Sequence, residues 1–74
     1  MTLDEIKKEI EAMGPKVELI SVPYGKHDVM WRVILEYSYW KVEVGSKNKY
    51  GAFYGFPSAV SAANAAWQWV KERG

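Results

Sequence analysis

The chain contains no cysteine, which excludes a disulfide framework, a thiolate nucleophile, a zinc knuckle and an iron–sulfur centre. Its one histidine, His27, leaves too few imidazoles for a histidine-based metal site. An excess of charge of one sign is missing as well. Ten basic residues stand against nine acidic ones, for a net charge of +1, so the chain lacks the field with which a protein coats duplex phosphates through charge alone. Long hydrophobic runs are also lacking: Gly, Ser, Asn, Gln and Pro interrupt the longest uncharged stretch, residues 50–70, and no segment reads as a membrane-spanning helix. The opening residues, Met1-Thr2-Leu3-Asp4-Glu5, have neither the positive flank nor the apolar run of a secretory signal, and an intracellular, cytoplasmic protein is expected.

What the chain does have is enough apolar material for one core. Seventy-four residues make a single domain, residues 1–74, because so short a chain cannot divide its apolar side chains between two independent cores. The composition, 49% hydrophobic and 26% charged, is that of an ordinary globular domain. Four Trp, five Tyr and two Phe supply buried area that a small core otherwise lacks. Charge changes sign along the sequence. Residues 1–15 carry a net −2, residues 16–56 a net +2, and residues 57–74 a further +1.

Local patterns divide the chain into five or six elements. Thr2 followed by Glu5 is a capping-box pair, and Leu3, Ile6, Ile10 and Met13 recur at helical spacing until Gly14-Pro15, which predicts an amphipathic helix over residues 3–13. Its polar face holds Glu5, Lys8, Glu9 and Glu11. Val17 and Leu19 alternate with Glu18 and Ile20, predicting a strand that closes at Pro23-Tyr24-Gly25. A turn carrying Lys26, His27 and Asp28 leads to a second strand, residues 29–36, with Val29, Trp31, Val33 and Leu35 on one face and Trp31 expected in the core. The apolar set then changes parity to Trp40, Val42 and Val44, which requires a turn or bulge at residues 37–39 and hence a hairpin. Residues 45–49 read as a loop and residues 50–56 as a short extended segment, so the sheet has three or four strands.

Pro57-Ser58 marks the start of a last helix over residues 59–72, whose stripe Ala59, Ala62, Ala63, Ala66 and Val70 is small-sided. Such a stripe lets a helix lie close to a sheet that carries the bulk itself, here Trp31, Trp40 and Phe53. Trp67 and Trp69 point about 200° apart around the helix, so one of them is expected to remain partly outside the core. The fold expected is α+β, α-β-β-β-α, with an antiparallel sheet of three or four strands and both helices on one face.

This order resembles that of a double-stranded-RNA-binding domain. Pro15 and His27 have the separation of the Pro that opens that family's first strand and the His of its G-P-x-H-x-x-x-F loop; Gly25 lies nearby and Trp31 four residues beyond the His. Ser58, Ala62, Asn64, Ala65 and Ala66 fall at or beside the places of the family's S-K-K-x-A-K-N-x-A-A helix start. The chain departs from the pattern at the three lysines of that start, where it has Ala59, Val60 and Ala63, in having Gly25-Lys26 for Gly-Pro, and in a longer stretch between Trp31 and Ser58. The resemblance therefore implies the fold without the lysine clamp that grips phosphates across the duplex groove. A second, local resemblance links residues 49–56 to the aromatic octapeptide of RNA-recognition-motif domains through Lys49, Ala52, Phe53 and Phe56. It covers about twenty residues, and Tyr50 and Gly51 depart from its glycine-aromatic start, so the first resemblance is the one followed.

Little in the sequence points to catalysis. His27-Asp28 is the only neighbouring pair of His and acid, Ser58 has no identifiable base, and Gly51 and Gly55 bracket no Lys-Ser or Lys-Thr pair. No catalytic residue, cofactor, metal or membrane partner is assigned, and a non-enzymatic binding module is expected. Rings interleaved with ammonium groups suit bases and phosphates together, so nucleic-acid contact, most simply RNA, is assigned to Lys26, His27, Lys41, Lys47, Lys49, Tyr50 and Tyr54. The alternative is a protein-interaction or inhibitor module of the same fold, whose partner is another protein or a second copy and whose anchors are Trp67, Trp69, Tyr37 and Tyr39. Small size and the lack of cysteine also suit a virus-encoded accessory protein.

Overall fold

A computed structural model of the chain describes residues 1–47 and 53–73, and among these the side chains of Tyr24, Ser46, Lys47, Phe53 and Tyr54 lie outside the description. The first element, α1 (Leu3–Ala12), starts on the capping box read from the sequence. The Glu5 amide donates to Thr2 Oγ1 at 3.3 Å, while the Thr2 amide donates back to Glu5 Oε1 at 3.1 Å. These bonds satisfy helix-end donors that have no partner within the helix. They also favour the ionised Glu5, holding its carboxyl below the usual range, with the Thr2 backbone bond the largest cause. Ile6 and Ile10, one turn apart, are buried. At its end the Met13 amide donates to the Ile10 carbonyl and the Gly14 amide to that of Glu11, and Gly14 takes a φ of +126°, open to glycine and strained for other residues.

Pro15, itself buried, feeds β1 (Lys16–Tyr24), which pairs antiparallel with β2 (Asp28–Glu36) over nine residue pairs, from Lys16 opposite Glu36 to Tyr24 opposite Asp28. β3 (Lys41–Val44) adds to the other edge of β2, with Leu35 opposite Val42 and Val33 opposite Val44, in the order β1-β2-β3. The change of parity after residue 36 is a turn: the Tyr37 amide donates to the Trp40 carbonyl at 2.8 Å, closing the hairpin. Trp40 therefore belongs to the turn and is 53% exposed, whereas the sequence reading gave it to the helix-facing side of the sheet. Phe53, the other ring expected there, has its side chain outside the description.

β3 covers only half of its edge. After Val44 the chain makes a separate two-stranded ribbon, β4 (Ser46–Lys47) with β5 (Phe53–Tyr54), then returns to β2 at Phe56, which exchanges two 2.8 Å backbone hydrogen bonds with Trp31. The chain thus leaves the main sheet after Val44 and rejoins it at Phe56, an excursion from the third strand. The choice between three and four strands resolves as three in the main sheet, with this ribbon apart from it.

The last element, α2 (Ala59–Arg73), starts where Ser58 Oγ accepts the Ser61 amide at 3.1 Å. Its buried side chains are Ala62, Ala63, Ala66 and Val70, the expected stripe apart from Ala59, which is half-buried. With Ile6, Ile10, Val33, Leu35 and Val44 they form one core, flanked by half-buried Val17, Leu19, Trp31, Val42 and Phe56. Trp31, expected inside, lies at this flank because the two neighbouring β2 positions on its face, Val33 and Leu35, take the ground beneath α2. Both helices pack against the sheet, giving the expected α+β order. On the opposite sheet face Ile20, Val22, Met30 and Ile34 are half-buried.

Gly55 sits where the excursion rejoins the sheet, and a Cβ there would lie 2.6 Å from the Trp31 carbonyl oxygen. Backbone cannot yield as a flexible side chain would, so Gly55→Ala must push the returning segment off β2. A loss of about 1–3 kcal/mol is expected, read as a fall in melting temperature of roughly 4–8 °C per kcal/mol in a domain of this size. An unchanged melting temperature would show that the junction is not tightly packed.

Candidate functional site

The direction of α2 sets the two ends of the molecule. It begins three residues after Phe56, which is bonded at Trp31, and by Trp69 it has reached Trp40 in the β2–β3 turn. The Lys26-His27 turn thus lies toward the end of the sheet where α2 starts, and residues 37–40 lie at the end where it finishes. Eight strand steps of about 3.3 Å along β2, roughly 26 Å, separate Asp28 from Glu36.

Three segments meet at the second end: the C-terminus of α1, the β2–β3 turn and the end of α2. The Tyr37 and Trp40 rings stack at 4.4 Å between centroids with an 8° interplanar angle, and Trp40 meets Trp69 at 6.4 Å and 58°. Stacked and tilted pairs of this kind suit the ring quadrupole. A cleft of about 230 Å³ opens beside them, lined by Met13, Tyr37, Trp40, Trp69, Val70 and Arg73. A shallower groove of about 290 Å³, lined by Glu36, Tyr37, Tyr39, Trp40 and Lys41, lies beside the same turn. Tyr39 at its rim is 98% exposed.

The geometry of the end of α2 explains how two tryptophans on opposite flanks are accommodated. The Arg73 guanidinium carbon lies 4.0 Å from the centroid of Trp69, and Lys71 Nζ lies 4.4 Å from that of Trp67. Each cation stands four residues beyond its ring, the spacing at which helix side chains are neighbours. Both indoles are packed on the core yet only half-buried, so partial exposure, expected of one of them, is shared by both. Of the two α2 indoles, Trp69 lines the cleft together with Trp40, and Trp67 does not.

Of the residues singled out in the sequence, Tyr37, Tyr39 and Lys41 come together, and Tyr37 joins Trp69 in the cleft. Lys26 and His27 are exposed in the turn at the far end and join neither groove. Lys47 and Tyr54 fall in the β4–β5 ribbon with their side chains undescribed, and Lys49 and Tyr50 lie outside the described residues. Met13, Trp40, Val70 and Arg73 were not among the sequence candidates. Arg73 was legible through its i, i+4 spacing from Trp69, whereas Trp40 was hidden by the strand assigned to it. Among the three places where the resembling family carries lysine, Val60 is 41% exposed, Ala59 half-buried and Ala63 fully buried, so a long cation at 63 would start inside the core.

Among the described residues no group of three His, Asp or Glu side chains gathers to hold a metal ion, and no helix is long and apolar enough to cross a membrane. Compared with protein-family models, curated proteins and solved structures, the chain matches none.

The open sheet face carries a two-bonded ion pair: Arg32 donates to Glu43 through Nε at 2.7 Å and Nη2 at 2.6 Å. These bonds hold the Glu43 carboxyl below its ordinary range and raise Arg32 further. Because Glu43 ionises more readily folded than unfolded, its contribution is present above the ordinary carboxylate pKa and is lost as pH falls through the lowered folded value. Glu43→Gln is therefore expected to melt below the wild type at neutral pH, with the gap closing as pH falls through the lowered folded value. A gap of constant size across a pH series of thermal melts would rule out ionisation of Glu43 as its source.

Proposed function

We propose that the chain is a small non-enzymatic binding module that recognises a protein partner through the aromatic cleft between α1, the β2–β3 turn and the end of α2. The observation that carries this reading is the convergence of Tyr37, Trp40 and Trp69 with Met13 and Arg73, in which Trp40 stays 53% exposed after the fold is complete. Large rings held by packing bring contact area at small entropic cost, and Trp, Tyr and Arg dominate the energetics of protein interfaces. Near-neutral charge favours the same partner class. The exposed cations Lys26 and Lys41 stand at opposite ends of β2, and Lys41 lies across from Glu36, so phosphate attraction is not concentrated at the cleft.

One observation favours a second reading, contact with single-stranded RNA. Tyr39 is almost fully exposed next to Lys41 and the Tyr37–Trp40 stack, the pairing of flat ring and cation on which unpaired bases and their phosphates settle. In this reading Lys26, His27, Lys47, Lys49, Tyr50 and Tyr54 would extend the contact.

Affinity capture from the protein's own source cells, run beside titration of labelled single-stranded and duplex RNA at low and moderate salt, separates the two. The expected result is a protein retained by the wild type and weakened by Trp40→Ala by about thirtyfold, the effect of an interface hot spot, while circular dichroism shows the variant folded. Salt-dependent RNA binding that Lys41→Glu weakens, with no captured protein sensitive to Trp40→Ala, would replace the first reading by the second.

A further inference from the structure

We infer that the occupant of the aromatic cleft is an acidic segment of the partner protein, which places an aliphatic or aromatic side chain against Met13, Trp40 and Val70 and a side-chain carboxylate on the Arg73 guanidinium. The inference rests on the protein-partner reading above and adds the chemistry of the partner.

Size is the first argument. At about 230 Å³ the cleft falls below the roughly 300–1,000 Å³ of sites that enclose drug-sized molecules and cofactors. It suits one inserted side chain of a longer ligand.

Charge is the second. Arg73 is the single charged residue in the lining, and no carboxylate accompanies it there. Its guanidinium is already oriented, over the Trp69 ring and with Nη1 donating to the Trp69 carbonyl at 3.4 Å. The acid near it, Glu72, stands 4.0 Å away, and the two side chains are 55% and 73% exposed, so this pair is loose and screened by water. The result is an oriented cation beside an apolar cleft, with its charge largely uncompensated among the described residues. A guanidinium lying over a ring keeps in-plane N–H donors for a carboxylate, and its ordering cost has been met before the ligand arrives. The negative end of the α2 dipole opposes an anion at this place, and Lys71 with Arg73 in the last turn offsets it.

The test uses the full chain labelled with ¹⁵N and two peptides, N-acetylated and C-amidated: Gly-Glu-Leu-Phe-Glu-Gly and the same sequence with Gln in place of both Glu. Blocked ends leave the side chains as the only carboxylates. The acidic peptide is expected to shift the indole N–H signals of Trp40 and Trp69, and the Gln peptide to bind at least about tenfold more weakly, as fits the loss of a charged hydrogen bond. Arg73→Gln should remove the difference between the peptides and Arg73→Lys should restore only part of it. Lys71→Gln, whose cation covers Trp67 outside the cleft, should leave it intact. Indole signals unmoved by millimolar acidic peptide would overturn the inference, as would equal binding of both peptides or shifts that follow protein concentration alone, which would make a second copy the occupant. Equal binding that still disappears in Trp40→Ala would leave the protein-partner reading standing. Loss of the captured partner's sensitivity to Trp40→Ala would remove that reading independently.

Discussion

Ala62, Ala63 and Ala66 give up all exposure in a core whose sheet side is Val33 and Leu35, and the position of most other groups follows from that close approach. Methyl-sized side chains let the helix axis come near the sheet, where denser contact offsets the small area each alanine buries. A helix held so close has no room for bulk on its inner face. Its two indoles are displaced to the flanks, where Lys71 and Arg73 cover them from the next turn. Trp31 is likewise moved to the margin of the core, and the β2–β3 turn lifts Trp40 to meet Trp69. The aromatic cleft is thus a by-product of tight packing at the centre, with large rings collected where the alanine stripe ends.

The electrostatics of the chain are local. The Thr2–Glu5 box orders one helix end and the Arg32–Glu43 fork ties β2 to β3 across the open sheet face, while the basic residues spread along the molecule. Such a distribution gives little long-range steering. In the recognition proposed above, shape and rings held in place would carry the contact, with Arg73 supplying orientation.

Both helices and the long β1–β2 hairpin were legible because their signals are local: a capping box, period-two alternation and an alanine stripe bounded by Pro57-Ser58. The parity change near residue 37 located the turn but not its content. Trp40 carries the same alternation whether it is the first residue of a strand or the last of a turn, and only the Tyr37–Trp40 backbone bond decides between them. The cleft was half visible, since Tyr37 and Trp69 stood out as aromatics while Met13 and Val70 read as ordinary helix positions. Their meeting depends on how far α2 runs along the sheet, a tertiary quantity that no short window of sequence contains.

The excursion between Val44 and Phe56 bears on how such a chain can change. Its two feet, Val44 and Phe56, stand opposite Val33 and Trp31, only two positions apart on β2, where a regular ladder would need one residue to join them. The footing is set by the sheet and not by what lies between, provided a residue without a side chain keeps its place at 55. A change in what joins the two feet would therefore leave the register of the three-stranded sheet as it is, and this strand edge is a natural grafting point where new surface can be tried while both helices stay seated.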